Sequence, residues 1–372
     1  MAELVLNGVD KIYRGKKKAV HAVKSLSLTV KSGEIVALLG SSGCGKTSTL
    51  RMIAGFEDVT NGTITLGGKP IHLLPPSQRG VAMAFEAYSL YPPLTIGDNI
   101  AFALKAAKMP ASEQQARVKA MAEMLEIEGI LNKYPSSVSG GQQQRASLGR
   151  ALVRQAGLYL LDEPMGQLEP QLRAVLRGRI KHYLREHNCT TILVTHDQTE
   201  ANALADRIAV MEGGVLQQYA TPAELKAKPA NLFTGTFIGE PPMNVFDASV
   251  AADAKTVTFT TDGGAKLAFA ASEFSGNLLK LLSARNRITL GIRPYALHVG
   301  DGPITGKVIS CQWLGDQTHV AVDVGGRTIV SVAHERISRK PGSDLALNVD
   351  AANLHIFDSE SQTAIAHGGA LA

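Results

Sequence analysis

Cysteine is scarce in this 372-residue chain, which has three, and tryptophan occurs once. Cys44, Cys189 and Cys311 lie far apart with no CxxC spacing. That argues against a disulfide framework or a cysteine zinc site and fits a reducing cytosol. Long apolar runs are missing too, and none nears the ~20 residues that a helix needs to cross a bilayer. The N-terminus MAELVLNGVDKIYRG turns polar after a few apolar residues, so no secretory leader is expected. A membrane role would therefore require docking onto another chain. Charge of one sign does not dominate, because the net +5 is spread along the sequence. The densest run, Arg14-Gly-Lys16-Lys17-Lys18, is short enough to read as a solvated loop, and no nucleic-acid surface is expected.

What remains is ordinary globular composition, 45% hydrophobic and 19% charged, at a length that predicts two folded units. Residues 1–235 alternate between strand and helix patterns. Leu4–Val9 and Ser25–Val30 alternate in β fashion, and Glu34–Leu39 is a buried-strand run ending at a glycine. Helical character follows over Thr47–Ala54. Leu158–Leu161, Thr191–Val194 and Ile208–Met211 are further apolar runs, with a helix over Gln167–His187 between them. The pattern predicts an α/β domain with a largely parallel sheet. From about 86 to 154 the strand signal vanishes and a helical subdomain is expected. Its Ser112 and Gln115 have capping-box spacing, and Val118, Met121, Ala122 and Leu125 recur at helical spacing. Glycines and prolines punctuate Pro229–Asn244. Residues 236–372 then read as a small, barrel-like all-β domain, with a hairpin at Asp262-Gly-Gly264 and strands at Thr256–Thr260, Lys266–Ala270, Ile288–Ile292, Gly306–Ile309, His319–Val324 and Thr328–Val332.

Three clusters carry chemistry. Gly40, Ser41, Ser42, Gly43, Cys44, Gly45, Lys46 and Thr47 match the GxxxxGK[ST] phosphate loop, followed by Ser48. Its glycines free backbone N–H groups to cradle phosphates at a helix start. Lys46 is expected at the β- and γ-phosphates and the Thr47 hydroxyl at Mg²⁺, so ATP and Mg²⁺ are the expected ligands. Leu158-Tyr-Leu-Leu-Asp162-Glu163 puts Asp162 at a strand end as a second Mg²⁺ group, with Glu163 as general base toward water. The turn Ser139, Gly140, Gly141, Gln142 opens another helix and has the form of an anion-binding start.

Set between the other two elements, the Ser139–Gln142 turn resembles the signature of ABC ATPases, and the resemblance covers the whole N-terminal unit. It implies a head-to-tail pair of cassettes, each nucleotide lying between one chain's phosphate loop and the other's Ser139–Gln142 turn. It also implies that His196, at the end of Ile192-Leu-Val-Thr, is the switch histidine and that Tyr13 stacks on adenine. The chain departs from the family's pattern in three places. Glu86 stands where a glutamine normally contacts Mg²⁺ and water, Val138 replaces leucine, and Gly166-Gln-Leu-Glu169 replaces a serine and an aspartate. A carboxylate at Glu86 can still ligate Mg²⁺, but it adds charge and donates no hydrogen bond when ionised. The departures leave open whether the paired cassette is a second copy or a non-identical chain, and whether turnover is altered.

Farther on, Phe237-Ile-Gly-Glu-Pro-Pro-Met-Asn244, Gly291-Ile-Arg293-Pro294 and Trp313-Leu-Gly-Asp316 resemble the linker and turns of the regulatory domain in importer ATPases of the maltose and glycerol-phosphate type. That domain has an oligonucleotide/oligosaccharide-binding type barrel. The resemblance implies a peripheral ATPase on the cytoplasmic face of the inner membrane. Its partners would be two membrane-spanning permeases, fed by a solute-binding protein. Tyr88, Leu90 and Tyr91 would supply apolar contacts to the permeases. A carbohydrate, polyol or glycerol-phosphate-like solute is expected; polyamine, iron or sulfate importers and an added sequestering role are the alternatives.

Overall fold

The computed structural model describes residues 2–15, 19–368 and 371. Lys16, Lys17 and Lys18 of the basic run lie outside the described residues. The chain forms two compact units, Met1–Pro222 and Ala223–Ala372.

The first unit is built on a six-stranded sheet in the order Val215–Ala220, Arg207–Glu212, Ile35–Gly40, Thr191–Val194, Leu158–Asp162, Val81–Ala84. All neighbours run parallel except the first pair. A parallel sheet covered on both faces selects continuous apolar strands, and every residue of Ile35–Gly40 and Leu158–Asp162 is buried. Because Leu38 and Asp162 both pair with Val194 in parallel register, the phosphate loop, Glu163 and Thr195 leave from the same edge of the sheet. Ligands of open α/β sheets bind at that carboxyl edge. An antiparallel sheet of Ala19–Val30, Leu4–Arg14, Asn61–Leu66 and Lys69–Pro70 shares a core with the helix Lys46–Ala54 through Leu4, Leu26, Ile64, Leu50 and Ile53.

The expected helical insertion consists of Ile96–Ala106, Ala111–Leu125 and Gly140–Leu152. Val118, Met121, Ala122 and Leu125 are buried as their spacing predicts. The Ser112/Gln115 capping box does not form. Pro110 holds the N-cap position, so the helix starts at Ala111 and Ser112 falls inside its first turn. The capping box of this region is instead at the next helix, where the Gln142 N–H donates to Ser139 Oγ at 3.3 Å and the Ser139 N–H to Gln142 Oε1 at 3.0 Å.

The second unit contains two antiparallel sheets. One has the order Lys266–Ala270, Thr256–Thr261, Asn244–Ala252, Arg287–Ile292, Leu354–Asp358, Ala364–His367. The other has the order Arg327–Ala333, Thr318–Val324, His298–Trp313, Asp344–Asn348. Their inner faces meet at Phe259, Leu290, Val320, Val322 and Ile356. The expected hairpin is present, with Thr260 opposite Lys266. The unit is not purely β, because Ser275 caps a helix over Gly276–Ser283 that buries Leu278 and Leu282.

Arg79, 5% exposed, ties the C-terminal carbonyls of the Lys46–Ala54 helix to the neighbouring loop. Its guanidinium donates to Met52 O at 2.6 Å, Ile53 O at 3.1 Å, Leu74 O at 2.7 Å and His72 O at 3.0 Å. Arg79→Leu strands four acceptors around an apolar chain, so we predict a loss of about 3 kcal/mol in the first unit's unfolding free energy, read by urea denaturation. A change below about 0.5 kcal/mol would show the carbonyls to be satisfied without it.

Candidate active site

The phosphate loop closes on itself around its own lysine. Gly45 caps the helix at φ +100°, and a Cβ there would lie 2.4 Å from Ala22 O, so only glycine fits. Lys46 is 8% exposed, and its Nζ donates to Gly40 O at 2.7 Å and Ser41 O at 2.9 Å. The ammonium thus rests on loop carbonyls at the centre of the cradle. Ser41, Ser42 and Gly43 are exposed, Cys44 is buried, and Thr47 and Ser48 are half-buried at the first helical turn. Tyr13 Oη lies 3.1 Å from Ser48 Oγ, and Lys11 Nζ lies 4.8 Å from the Tyr13 ring centroid. The tyrosine is therefore fixed beside the loop.

Carboxylates gather opposite. Burial raises the Asp162 carboxyl to about 6; Glu86 and then Glu163 add repulsion, while Arg51 and Lys46 pull it down. Asp162 Oδ1 is buried without a hydrogen-bond partner. An orphaned oxygen in a field of carboxylates is the environment that a hard divalent cation relieves, so Asp162 and the Thr47 hydroxyl fit Mg²⁺. Glu163 sits in the left-handed region at φ +47°. Its Oε1 is 3.1 Å from His196 Nδ1, and the imidazole is 68% exposed. Glu86 is exposed, and only its charge reaches Asp162.

The Ser139–Gln142 turn lies against a different part of the chain. A Cβ on Gly140 would stand 2.8 Å from Gln167 Oε1 and 3.5 Å from Tyr88 Oη. Among the described residues no hydrogen bond or ion pair joins this turn to residues 40–47. The structure thus brings together Tyr13, the loop, Asp162, Glu163 and His196, and places Ser139–Gln142 elsewhere.

Several supporting residues escape a reading of the sequence. Gln144, 4% exposed, donates to Glu163 O at 2.8 Å and accepts from the Gln167 N–H at 3.0 Å. Ser147 donates to Tyr88 O at 2.8 Å, and Arg150 to Ser89 O at 2.7 Å and Tyr88 O at 3.1 Å. These bonds hold two consecutive left-handed residues, Tyr88 at φ +57° and Ser89 at φ +50°. Arg173 pairs with Asp197 at 3.1 Å and reaches Leu168 O at 3.1 Å. Glu200 accepts from Thr195 Oγ1 at 2.7 Å, and burial pushes its carboxyl up to about 7. Beside Tyr88 opens a groove of about 780 Å³ lined by Phe56, Phe85, Tyr91, Phe102 and Arg150. The Tyr91 and Phe102 rings lie 4.6 Å apart there, whereas Leu90 is half-buried outside the lining.

Fold and site together define an ATP-binding cassette followed by a β-rich appendage. The ABC transporter family matches residues 23–166, the OB fold domain of the MalK type residues 239–297, and the TOBE domain residues 290–357. The trehalose/maltose import ATP-binding protein of Thermococcus litoralis is 41% identical over 93% of this chain and 96% of that one. An sn-glycerol-3-phosphate import ATP-binding protein of Agrobacterium fabrum is 38% identical over 96% and 93%. A solved dimeric ATP-binding cassette, MJ0796, bound to ADP and Pi, superposes with a TM-score of 0.56 at 27% identity, covering 59% of this chain and 98% of that one. The chain belongs to the ABC transporter ATP-binding proteins of the carbohydrate importer type, and it hydrolyses ATP to drive transport.

Two carboxyls with raised pKa values set a pH dependence. A carboxyl held above its unfolded value binds its proton more tightly in the fold, so its contribution is complete below the unfolded pKa and is lost as pH rises through the folded one. For Asp162 and Glu200 the window runs from about 4 to about 6 and 7. We predict that the nucleotide-free chain loses stability from these groups between pH 5 and pH 8. Asp162→Asn and Glu200→Gln should each recover on the order of 1–2 kcal/mol at pH 8. Denaturant midpoints at the two pH values check this, and variants with the parent's pH slope would refute it.

Proposed function

We propose that this chain is the ATPase subunit of a binding-protein-dependent importer for a carbohydrate, polyol or glycerol-phosphate-like solute. Relatives named for trehalose/maltose, sn-glycerol-3-phosphate and lactose transport support the solute class. The observation that carries the enzymatic part is Glu163 at 3.1 Å from His196, next to the partnerless Asp162 oxygen and at the same sheet edge as Lys46.

In this reading the nucleotide's phosphates draw Lys46 Nζ from the Gly40 and Ser41 carbonyls, and the loop N–H groups take the oxygens. Tyr13 stacks on adenine. Thr47 and Asp162 would hold Mg²⁺, with Glu86 as a further carboxylate toward it, and the ion would supply charge neutralisation for the phosphates. Glu163 accepts the proton of the water that attacks the γ-phosphorus, and His196 holds that carboxylate in place. The Ser139–Gln142 turn, remote from its own loop, serves the site of a second cassette. That partner is a copy of this chain or a non-identical one. The dimeric cassette among its structural relatives supports the pairing.

No helix among the described residues is long and apolar enough to cross a membrane. In this reading the chain acts peripherally, on the cytoplasmic face of the inner membrane, docked on two permeases. The groove lined by Phe56, Tyr91 and Phe102 supports an apolar permease contact. Ser147 and Arg150 connect its wall to the helix that begins at Ser139.

Glu163→Gln should lower kcat for Mg-ATP about 10²–10⁴-fold while retaining nucleotide binding. It should also trap an ATP-bound dimer in size-exclusion chromatography; hydrolysis near the parental rate would remove Glu163 as the base. Glu86→Gln should change the hydrolysis rate or its coupling to transport. Equal values for both would leave Glu86 without a functional consequence.

A further inference from the structure

The second unit buries a cation with no counter-ion. Arg293 follows the strand Arg287–Ile292 and is 2% exposed. Its Nη1 donates to Gly235 O at 2.7 Å and to Ile238 O, and its Nη2 donates to Lys226 O at 3.0 Å. Its Nε is buried without an acceptor. Among the described residues no carboxylate forms an ion pair with it. Three carbonyl dipoles solvate the guanidinium only in part, and a buried charge without an opposite charge is costly.

Arg293 lines a cavity of about 500 Å³ together with Lys226, Glu240, Tyr295, Gln317 and His334. Lys226 has no carboxylate partner either among the described residues, and its Nζ lies 4.4 Å from the Tyr295 ring centroid. Gln317 and His334 add hydrogen-bonding groups. The one acid at the rim, Glu240, is exposed and solvated. The positive field persists deeper in the unit, where burial and then Arg293 push the His355 imidazole down to about 3.

We propose that this cavity is a binding site for a small oxyanion, a phosphate or carboxylate, free or as the charged end of a metabolite. The anion supplies the missing counter-charge between Lys226 and Arg293. Gln317 and His334 orient its remaining oxygens, and Tyr295 closes one wall. The volume accommodates a small metabolite rather than a bare ion alone. The site is separate from the nucleotide loop and does not depend on the solute assigned above.

The test is calorimetric titration of the full-length chain, saturated with Mg-ADP, with inorganic phosphate and separately with malonate. At least one anion should bind. Heat from phosphate alone identifies a phosphoryl ligand, and heat from malonate a carboxylate. Lys226→Met and His334→Leu should weaken that binding about tenfold or more, and Glu240→Gln should tighten it severalfold by removing the repulsive charge. Arg293 itself is left intact, because its three carbonyl bonds hold the chain between Lys226 and Ile238. Absence of heat with both anions overturns the site. So does a heat that all three variants leave unchanged, since it would then arise at the nucleotide loop.

Discussion

Everything at the catalytic edge follows from burying one carboxylate beside two others with too little positive charge near it. Asp162 lies at the end of a fully buried strand and its Oδ1 has no partner. Arg51 and Lys46 answer it only in part, and the Lys46 ammonium is committed to the carbonyls of Gly40 and Ser41. Nucleotide-free protein therefore holds an electrostatic deficit at the end of a fully buried strand. A hard cation and a polyphosphate together would relieve both halves, since phosphates would give Lys46 better acceptors and the cation would give Asp162 a charge partner. Binding is favourable because the resting state is poorly satisfied.

The helix Gly140–Leu152 connects that deficit to the surface. One face of it carries Gln144, which fixes the backbone on both sides of the segment from Glu163 to Gln167. One turn later Ser147 and Arg150 hold the left-handed pair Tyr88–Ser89 at the mouth of the aromatic groove. Its N-terminal turn is closely approached, because a Cβ at Gly140 would meet the movable end of Gln167 at 2.8 Å and Tyr88 Oη at 3.5 Å. A shift of this helix must therefore move the groove wall and the segment following Glu163 together. That is a physical link, made of named hydrogen bonds, between the aromatic groove and the segment after Glu163.

Legibility in the sequence tracked how strongly each residue type is constrained. Ile35–Gly40, Leu158–Asp162 and Thr191–Val194 were readable because a parallel sheet tolerates little but apolar side chains there. The phosphate loop was readable because few backbones other than glycine's fit its turns. Gln144 was not, because three consecutive glutamines offer no polarity contrast to reveal which one points inward. Ser112 misled because its capping spacing is correct, but the preceding proline already sets the helix start. The helix Gly276–Ser283 was hidden by its brevity among strands. Arg293 was visible as part of a turn, whereas its burial against Gly235 and Ile238 is a long-range fact that no local pattern encodes.

Glu86 shows how a departure that looks severe in sequence is moderated by position. At one unit charge, its effect on Asp162 depends on the dielectric between them. Glu86 is exposed, and among the causes raising the Asp162 carboxyl it ranks behind burial. Solvent thus screens the added charge in the resting chain, and the buried strand end, present whatever residue stands at 86, dominates. Closure of a second cassette over the site would remove that solvent and strengthen the same charge. Any consequence of Glu86 would therefore be larger in a closed site than in the open one, where it is already the largest charge acting on Asp162. Replacing Glu86 by glutamine would remove the larger of the two carboxylate repulsions on Asp162 while leaving the burial of that strand end, the greater cause, as it is.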